Sequence, residues 1–243
     1  MLNKPIKLIV TTIFISVLLI SCAEDEKIQT KLVNTKDSVI KPETKIPQST
    51  NTTDYNAGID YDILQLPYAT DNTEKVVVYE FFGYTCPHCY HFEPFLNKWL
   101  ETKPDYVELV RVPLNFHPSW AVFQRAYLTA QVMGVADQAH SKLFEVLHED
   151  HKRFNSIDEL AQWYADVVGV NKDEFLSTAN SFILDSKLSK ADNMGLKMQI
   201  TGTPTLVING KYRPSTKIPD KNKVMGIMNF LIEKEAKEMG LIK

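Results

Sequence analysis

One stretch decides how this chain folds: Val76-Val77-Val78-Tyr79-Glu80-Phe81-Phe82-Gly83-Tyr84-Thr85-Cys86-Pro87-His88-Cys89. Residues 76–82 are mostly apolar and rich in valine, which predicts a buried central strand. Cys86 and Cys89 follow at the start of a helix-compatible segment, and Pro87 suits the first position of a helix because its missing N–H costs nothing there. A strand that brings two thiols to the first turn of a helix is typical of a thiol–disulfide enzyme.

Cys86 is predicted to be the N-cap of this helix. Its sulfur would face free backbone N–H groups and the positive end of the helix dipole, and His88 could add a positive charge or a hydrogen-bond donor. Both effects favour the thiolate, and cysteines in such places have pKa values of about 3.5–7.5, against about 8.5 for a free thiol. A stabilised thiolate makes the disulfide unstable and therefore oxidising. We expect Cys86 to be the reactive sulfur and Cys89, one turn inward, to be the buried resolving thiol.

The same segment allows a second interpretation, a zinc site. Cys86, His88, Cys89 and His91 are close together in the sequence. Two cysteines without a second such pair make an incomplete structural zinc site, so we predict no metal and no cofactor. A disulfide between Cys86 and Cys89 would close a very short loop and would constrain little of the unfolded chain. The pair is therefore expected to be chemical rather than architectural.

The N-terminus has the pattern of an export signal. Two lysines precede a short apolar segment, and the ending Leu19-Ile20-Ser21-Cys22 resembles a bacterial lipobox. We predict a lipoprotein signal peptide at 1–21 and lipidation of Cys22; ordinary signal cleavage with an incidental Cys22 is the alternative. Export implies an oxidising compartment. The predicted location is the periplasmic side of a bacterial membrane, either inner or outer. The lipid on Cys22 would attach the protein to this membrane.

The composition limits the other possibilities. Of 243 residues, 44% are hydrophobic, so the chain can bury a core. The net charge is only −3 and no strongly basic block is present, which argues against nucleic acid as the main partner. Residues 22–57 are rich in polar and charged side chains and have no sustained apolar period, which predicts a disordered tether.

The rest of the chain reads as strands interrupted by a helical block. The sequence predicts an edge strand at 59–66, a helix at 87–101, a strand at 107–112, several helices at about 118–199, a strand at 205–208 and a final helix at about 220–239. Ser156-Ile157-Asp158-Glu159 is a capping box. Asn209-Gly210 is a strong signal of a type I′ hairpin.

In this order the elements resemble the thioredoxin fold with an inserted helical domain, as in the DsbA family of periplasmic dithiol oxidases. The resemblance covers about residues 59–243. Its most specific marks are the segment from Glu80 to Glu93, which contains Cys-Pro-His-Cys, and the tripeptide Gly202-Thr203-Pro204. It implies an α/β fold, with a DsbA-like thioredoxin domain at 58–243 and the helical insertion at about 118–199.

The resemblance also implies site residues. Cys86 and Cys89 would form the redox-active disulfide, with Pro87 and His88 between the sulfurs. The loop 202–204 would hold a cis proline facing the dithiol, so that the backbone of Thr203 pairs with an extended substrate. An ordinary trans proline at the start of a strand is the alternative.

Glu80 is a charged residue within an apolar strand. The family has a glutamate at the matching position, buried near the resolving cysteine and thought to help proton transfer. Arg111 aligns with a basic residue of the family, usually lysine, and could pair with Glu80. The alternative is that both side chains point to solvent.

Aromatic residues surround the dithiol in the sequence. Five could line an apolar surface near the reactive thiol: Phe82, Tyr84, Tyr90, Phe92 and Phe116. We expect Phe82 and Phe92 in the core instead, together with Trp99, Trp120 and Trp163.

These observations and the resemblance favour a lipid-anchored oxidase that donates its disulfide to reduced exported proteins. In this family a quinone-linked membrane partner re-oxidises the enzyme. A monomer is expected. An isomerase is less favoured, because isomerases of this fold usually add a dimerisation domain, for which the chain has no room unless the 23–57 tether folds. The alternatives are a disulfide isomerase or reductase, or a redox-inactive lipoprotein that uses the fold as a binding module.

Overall fold

The computed structural model describes residues 55–243. The predicted signal peptide, Cys22 and nearly all of the predicted tether lie outside the described residues. Folded structure begins slightly earlier than the tether boundary at 57 suggested. The ring of Tyr55 packs edge-on against Phe230 at a centroid distance of 5.5 Å, and Ala57 forms an isolated β-bridge with Tyr61.

Five strands in the described residues form one mixed sheet in the order β1-β5-β4-β2-β3. The strands are β1 (Tyr61–Ile63), β2 (Val76–Phe82), β3 (Val107–Pro113), β4 (Thr205–Ile208) and β5 (Tyr212–Pro214). β2 runs parallel to β3 and antiparallel to β4, and all seven of its residues are buried. Of the predicted strand at 59–66, only Tyr61–Ile63 is a strand in the structure. Ile59 and Leu66, at the ends of the predicted strand, are three-quarters exposed and lie outside it.

The helices follow the predicted order. They are α1 (Pro87–Leu100), α2 (Ala121–Val132), α3 (Ala136–His148), α4 (Ile157–Val168), α5 (Lys172–Ala179), α6 (Phe182–Lys197) and α7 (Lys221–Glu238), with a short 3₁₀ turn at Pro118–Trp120. The predicted capping box is confirmed in part: Ser156 accepts a hydrogen bond from the backbone N–H of Glu159, but the Glu159 carboxylate accepts from the N–H of Asn155 rather than from that of Ser156. Within residues 55–243, none of the helices combines the length and the hydropathy that a membrane span needs.

The hairpin between β4 and β5 has the predicted turn. Asn209 and Gly210 have φ values of 50° and 65°, and the N–H of Lys211 donates to the carbonyl of Ile208 at 2.9 Å. Two positive φ angles in succession define a type I′ turn. A side chain at Gly210 would meet the backbone oxygen of Tyr68 at 2.0 Å, so this position requires glycine.

The sheet separates two apolar cores. Val77 and Phe81 of β2 pack with the helices α2–α6. Val76 and Val78 pack with α1 and α7 on the other side. Because side chains alternate along a strand, Glu80 shares the side of Val76 and Val78 and faces toward α1, the helix that carries the dithiol. The helices α2–α6 lie between β3 and β4 in the chain, so they form the insertion in a thioredoxin fold.

Candidate active site

The dithiol lies at the point where β2 gives way to α1. Cys86 is the N-cap of α1, with extended φ and ψ values of −85° and 113°, and Pro87 occupies the first helical turn. The N–H groups of Cys89 and Tyr90 donate to the carbonyl of Cys86 at 3.1 and 3.2 Å. Cys86 is 7% exposed and Cys89 is fully buried. The sulfur of Cys86 is therefore accessible to another molecule, whereas that of Cys89 is not.

The two thiols have opposite electrostatic surroundings. The side chain of Cys89 donates a hydrogen bond to the sulfur of Cys86, and further hydrogen bonds come from Thr203 and from the backbone N–H groups of Cys89 and His88. These interactions outweigh burial and lower the pKa of Cys86 to about 5. Burial raises the pKa of the Cys89 thiol, and so does its hydrogen bond to Cys86. At neutral pH the pair therefore carries one anion, on Cys86.

His88 and Pro87 are both exposed. His88 acts on Cys86 through its backbone N–H, which is one of the donors named above, rather than through the ring charge that the sequence suggested. Its side chain lines a groove of about 680 Å³ that also includes Phe92 and residues 201–206. The structure thus places the two residues between the sulfurs at the mouth of the site.

A loop before β4 lines this groove and contacts the reactive sulfur directly. The predicted cis peptide bond between Thr203 and Pro204 is confirmed. In the thiol form, Sγ of Cys86 donates to the carbonyl oxygen of Thr203 at 3.4 Å. The hydroxyl of Thr205 closes the loop by donating to the carbonyl of Gly202 at 2.7 Å. The loop 202–204 and the reactive sulfur therefore belong to one site, although they are more than 100 residues apart.

Glu80 is buried beside Arg111 and hydrogen-bonded to it. The two residues are register partners on β2 and β3, and Nε of Arg111 donates to Oε2 of Glu80 at 3.1 Å. Glu80 has no exposed surface, and its Oε1 has no hydrogen-bond partner within the described residues. Burial and the nearby charge of Glu93 raise the pKa of Glu80 to about 8, against the opposing effect of Arg111. The interpretation that both side chains point to solvent is wrong.

Two further residues complete the cluster around Glu80 and Arg111, and neither was predicted from the sequence. Glu93 lies 3.9 Å from Arg111 and accepts from Nε2 of His140 at 3.1 Å. Nδ1 of His140 lies 2.9 Å from the hydroxyl of Tyr84. A signal for Glu93 existed, because it follows Cys89 by four positions and therefore shares its face of α1. His140 comes from α3 in the insertion, and nothing in the local sequence indicates its contact with α1.

The same cluster has the donor types of a metal site. Ligand atoms of Glu80, Glu93 and His140 lie within 4.8 Å of one another. The guanidinium group of Arg111 already occupies the cation position, since it contacts both carboxylates. The cluster is therefore a hydrogen-bonded charge network, and the prediction of no metal stands as a prediction.

The aromatic residues divide between the core and the surface. Phe82 and Phe92 are buried as expected, and so is Tyr84. Tyr90 is half-buried and stacks on His148 at a centroid distance of 4.8 Å, while Phe116 is 47% exposed. Trp99 and Trp163 lie in the core. The expectation for Trp120 is corrected, because it is only half-buried where it covers Gly83.

Comparison with known proteins gives a consistent result. A family model described as a DSBA-like thioredoxin domain matches residues 77–226. The thiol:disulfide interchange protein DsbA of Pseudomonas aeruginosa is 40% identical over 185 residues, which are 75% of this chain and 86% of the relative. The crystal structure of a Pseudomonas aeruginosa DsbA superposes with a TM-score of 0.72 at 38% identity, covering 77% of this chain and 97% of that one. A DsbA structure from Xylella fastidiosa gives a TM-score of 0.71 at 35% identity, covering 75% and 98%.

Proposed function

Because the chain belongs to the DsbA family of thioredoxin-domain proteins, it is a protein thiol:disulfide oxidoreductase, and we propose that it donates the Cys86–Cys89 disulfide to exported proteins. The observation that carries this proposal is the contrast between the two thiols. The pKa of Cys86 is lowered to about 5 whereas that of Cys89 is raised. A thiolate that is stable in the reduced protein makes the disulfide a ready oxidant.

Exchange follows from this contrast in two steps. A substrate thiolate attacks Sγ of Cys86, the Cys86–Cys89 bond breaks, and its electron pair leaves on Cys89, which takes up a proton. A second substrate thiolate then attacks the substrate sulfur of the mixed disulfide, and Cys86 leaves as a thiolate. The second departure is fast because a leaving thiol of low pKa leaves readily. The substrate gains a disulfide, and the enzyme holds the two electrons.

The loop 202–204 is proposed to hold the substrate. The Thr203 carbonyl lies beside the sulfur of Cys86, and the groove in front of it is open. An extended peptide that pairs with the Thr203 backbone would bring its own cysteine onto Cys86 without reading its side chains. Such binding suits an enzyme that acts on many unfolded clients.

Glu80 is proposed to supply the proton that Cys89 needs. A buried carboxyl group with a pKa of about 8 is protonated at neutral pH. Arg111 cannot take this role, because its guanidinium group, whose pKa is raised further here by Glu80 and Glu93 against the effect of burial, does not release its proton. Arg111 instead fixes the position of the Glu80 carboxyl group.

We further propose that the enzyme is a monomer anchored by lipid on Cys22 at the periplasmic side of a membrane, and that a quinone-linked membrane protein re-oxidises it. The lipobox-like ending at Cys22 and the polar segment 23–57 support the anchor. The family membership supports the re-oxidising partner. An isomerase or reductase is the second candidate, but the low pKa of Cys86 favours the oxidase.

One experiment in bacterial cells tests these proposals. Cells that express the full chain are fractionated, and free thiols are trapped with an alkylating reagent after acid quenching. We expect wild-type protein in the membrane fraction with Cys86 and Cys89 joined, release from the membrane in Cys22→Ala, and loss of disulfide transfer to secreted proteins in Cys86→Ser. A mostly reduced wild-type pair would indicate a reductase. Unchanged client oxidation in Cys86→Ser would overturn the function.

A further inference from the structure

A chain of hydrogen bonds joins the helical insertion to the buried carboxyl groups below the dithiol. The hydroxyl of Tyr84 lies 2.9 Å from Nδ1 of His140, and Nε2 of His140 lies 3.1 Å from Oε1 of Glu93. Glu93 in turn faces Arg111, which binds Glu80. His140 is 2% exposed, so water does not replace these contacts.

The chemistry of the groups gives this chain a direction. Burial raises the pKa of the Tyr84 phenol far above neutrality, so the phenol keeps its proton and can donate it to Nδ1. Burial lowers the pKa of His140 against the effect of Glu93, so the ring is neutral and carries one N–H. With Nδ1 accepting, that N–H is on Nε2 and points to Glu93. Glu93 must then accept, which is the role of a carboxylate.

Every charged or titratable group packed around His140 fits this arrangement. The groups are Glu93 on α1, Arg111 on β3 with its partner Glu80 on β2, Asp137 on α3 itself, Tyr127 on α2 and Tyr84 before α1. Asp137 is 93% exposed, so water screens its effect on His140. Arg111 is only 8% exposed, so its positive charge favours an ionised carboxylate beside it. Nearby carboxyl groups in a buried site rarely ionise together, so one of the two, Glu80 or Glu93, keeps a proton.

We propose that His140 is a positioning residue for the disulfide exchange, in that its Nε2–H fixes Glu93 as the ionised carboxylate and so places the shared proton on Glu80. This inference rests on the proposed function. When Cys89 leaves as a thiolate, the proton passes from the Glu80 carboxyl group to Cys89, so that Glu80 becomes the carboxylate and Cys89 the thiol. His140 neither gives nor takes a proton in this step.

The first test measures the two carboxyl groups directly. Full-length protein in the oxidised form, in which neither thiol titrates, is labelled with carbon-13 at the glutamate carboxyl groups and titrated by NMR. The variants Glu80→Gln and Glu93→Gln assign the two resonances. We expect Glu80 to titrate near pH 8. We expect Glu93 to titrate below the ordinary glutamate range, because the hydrogen bond from His140 and the charge of Arg111 lower its pKa by more than burial raises it. The reverse order would overturn the proposal.

The second test changes His140 itself. His140→Leu removes the donor to Glu93, so the pKa of Glu93 should rise by roughly one pH unit or more, the equivalent of a lost hydrogen bond to a charged group, and that of Glu80 should fall. His140→Gln keeps an N–H donor and should preserve the wild-type order. His117→Leu, at an exposed site outside the cluster, is the control.

The two tests separate this proposal from the function on which it rests. If His140→Leu does not fold, the wild-type titration and His140→Gln still decide the matter. Equal carboxyl titrations in His140→Leu and wild type would overturn the role of His140 while disulfide transfer continued. Absence of disulfide transfer by the wild-type protein would overturn the proposed function while the carboxyl titrations kept their order. In His140→Leu the rate of the first exchange step should begin to fall at a lower pH than in wild type. The reason is that Glu80, the proton donor, would lose its proton at a lower pH.

Discussion

The sulfur of Cys86 lies at a helix N-terminus beside three kinds of hydrogen-bond donor, whereas the sulfur of Cys89 is fully buried and its burial outweighs its own hydrogen bonds. The difference in their pKa values therefore comes from surroundings, since the two side chains are identical. The largest single contribution to the low pKa of Cys86 is the hydrogen bond from Cys89. The reactive thiolate thus depends on its own resolving partner as well as on the helix.

This dependence can be measured at Cys89. Cys89→Ala removes the donor, so the pKa of Cys86 should rise from about 5 by roughly one to two pH units, the equivalent of a hydrogen bond to a charged group. Cys89→Ser keeps a hydroxyl donor and should shift the pKa less. The measurement is the ultraviolet absorbance of the thiolate as a function of pH. An unchanged pKa in Cys89→Ala would mean that the helix N-terminus alone stabilises the anion.

At the level of elements, the turn from β2 into α1 is fixed by the inserted helices. Gly83 lies directly under Trp120, and a Cβ atom at this glycine would be 2.4 Å from Cζ3 of the tryptophan ring. Trp120 ends the 3₁₀ turn that leads into α2. The insertion therefore packs on the segment that positions Cys86, in addition to supplying His140.

Gly83→Ala tests this packing. The added methyl group must displace the ring of Trp120 or the turn itself, and overpacking of this kind costs typically 1–3 kcal/mol of unfolding free energy. The measurement is urea-induced unfolding. Gly202→Ala is the control, because a Cβ atom there meets nothing within 4 Å. In a Trp120→Ala background the same Gly83→Ala change should cost much less, and an equal cost in both backgrounds would contradict the clash.

The elements were predictable where the signal is local. The strand 76–82, the helix that starts at Pro87, the hairpin at Asn209-Gly210 and the final helix each follow from residues next to one another. The pairing of Glu80 with Arg111 was predictable only through the family resemblance. The contact between Glu93 and His140 was not predictable, because 47 positions separate the two residues and a buried histidine on a helix has many possible partners. The short β1 was overestimated, since apolar residues at its ends remain exposed.

At the scale of the whole molecule, the low pKa of Cys86 couples the redox state of the protein to its stability. Only the folded reduced protein holds the sulfur as a thiolate at low pH, because the unfolded chain has no helix N-terminus to stabilise it. The disulfide form has no such group, and its loop between Cys86 and Cys89 is too short to constrain the unfolded chain strongly. The dithiol form should therefore be the more stable of the two, which is the thermodynamic requirement for an oxidant.

The pH dependence of this difference has a definite sign. Between pH 5, the approximate pKa of Cys86 in the folded protein, and pH 9, its ordinary value, unfolding of the reduced protein takes up a proton, so stability rises with pH. The free energy of unfolding of the reduced form minus that of the oxidised form should grow by up to about 1.4 kcal/mol per pH unit across this window. This contribution of Cys86 to the difference should disappear as the pH falls through 5. Cys89 adds nothing below pH 9, because its raised pKa leaves it a neutral thiol in both states there.

Paired urea titrations of the oxidised and reduced protein at several pH values measure this difference. Glu80 also titrates in the window, and with its raised pKa it makes both forms less stable as the pH rises, so its effect largely cancels in the subtraction. Reduced Cys86→Ala keeps Cys89 and Glu80 but lacks the reactive thiol, and its stability should not rise between pH 5 and 9. A wild-type difference that stays constant with pH would mean that the folded protein does not stabilise the thiolate, and the oxidase mechanism would then lose its driving force.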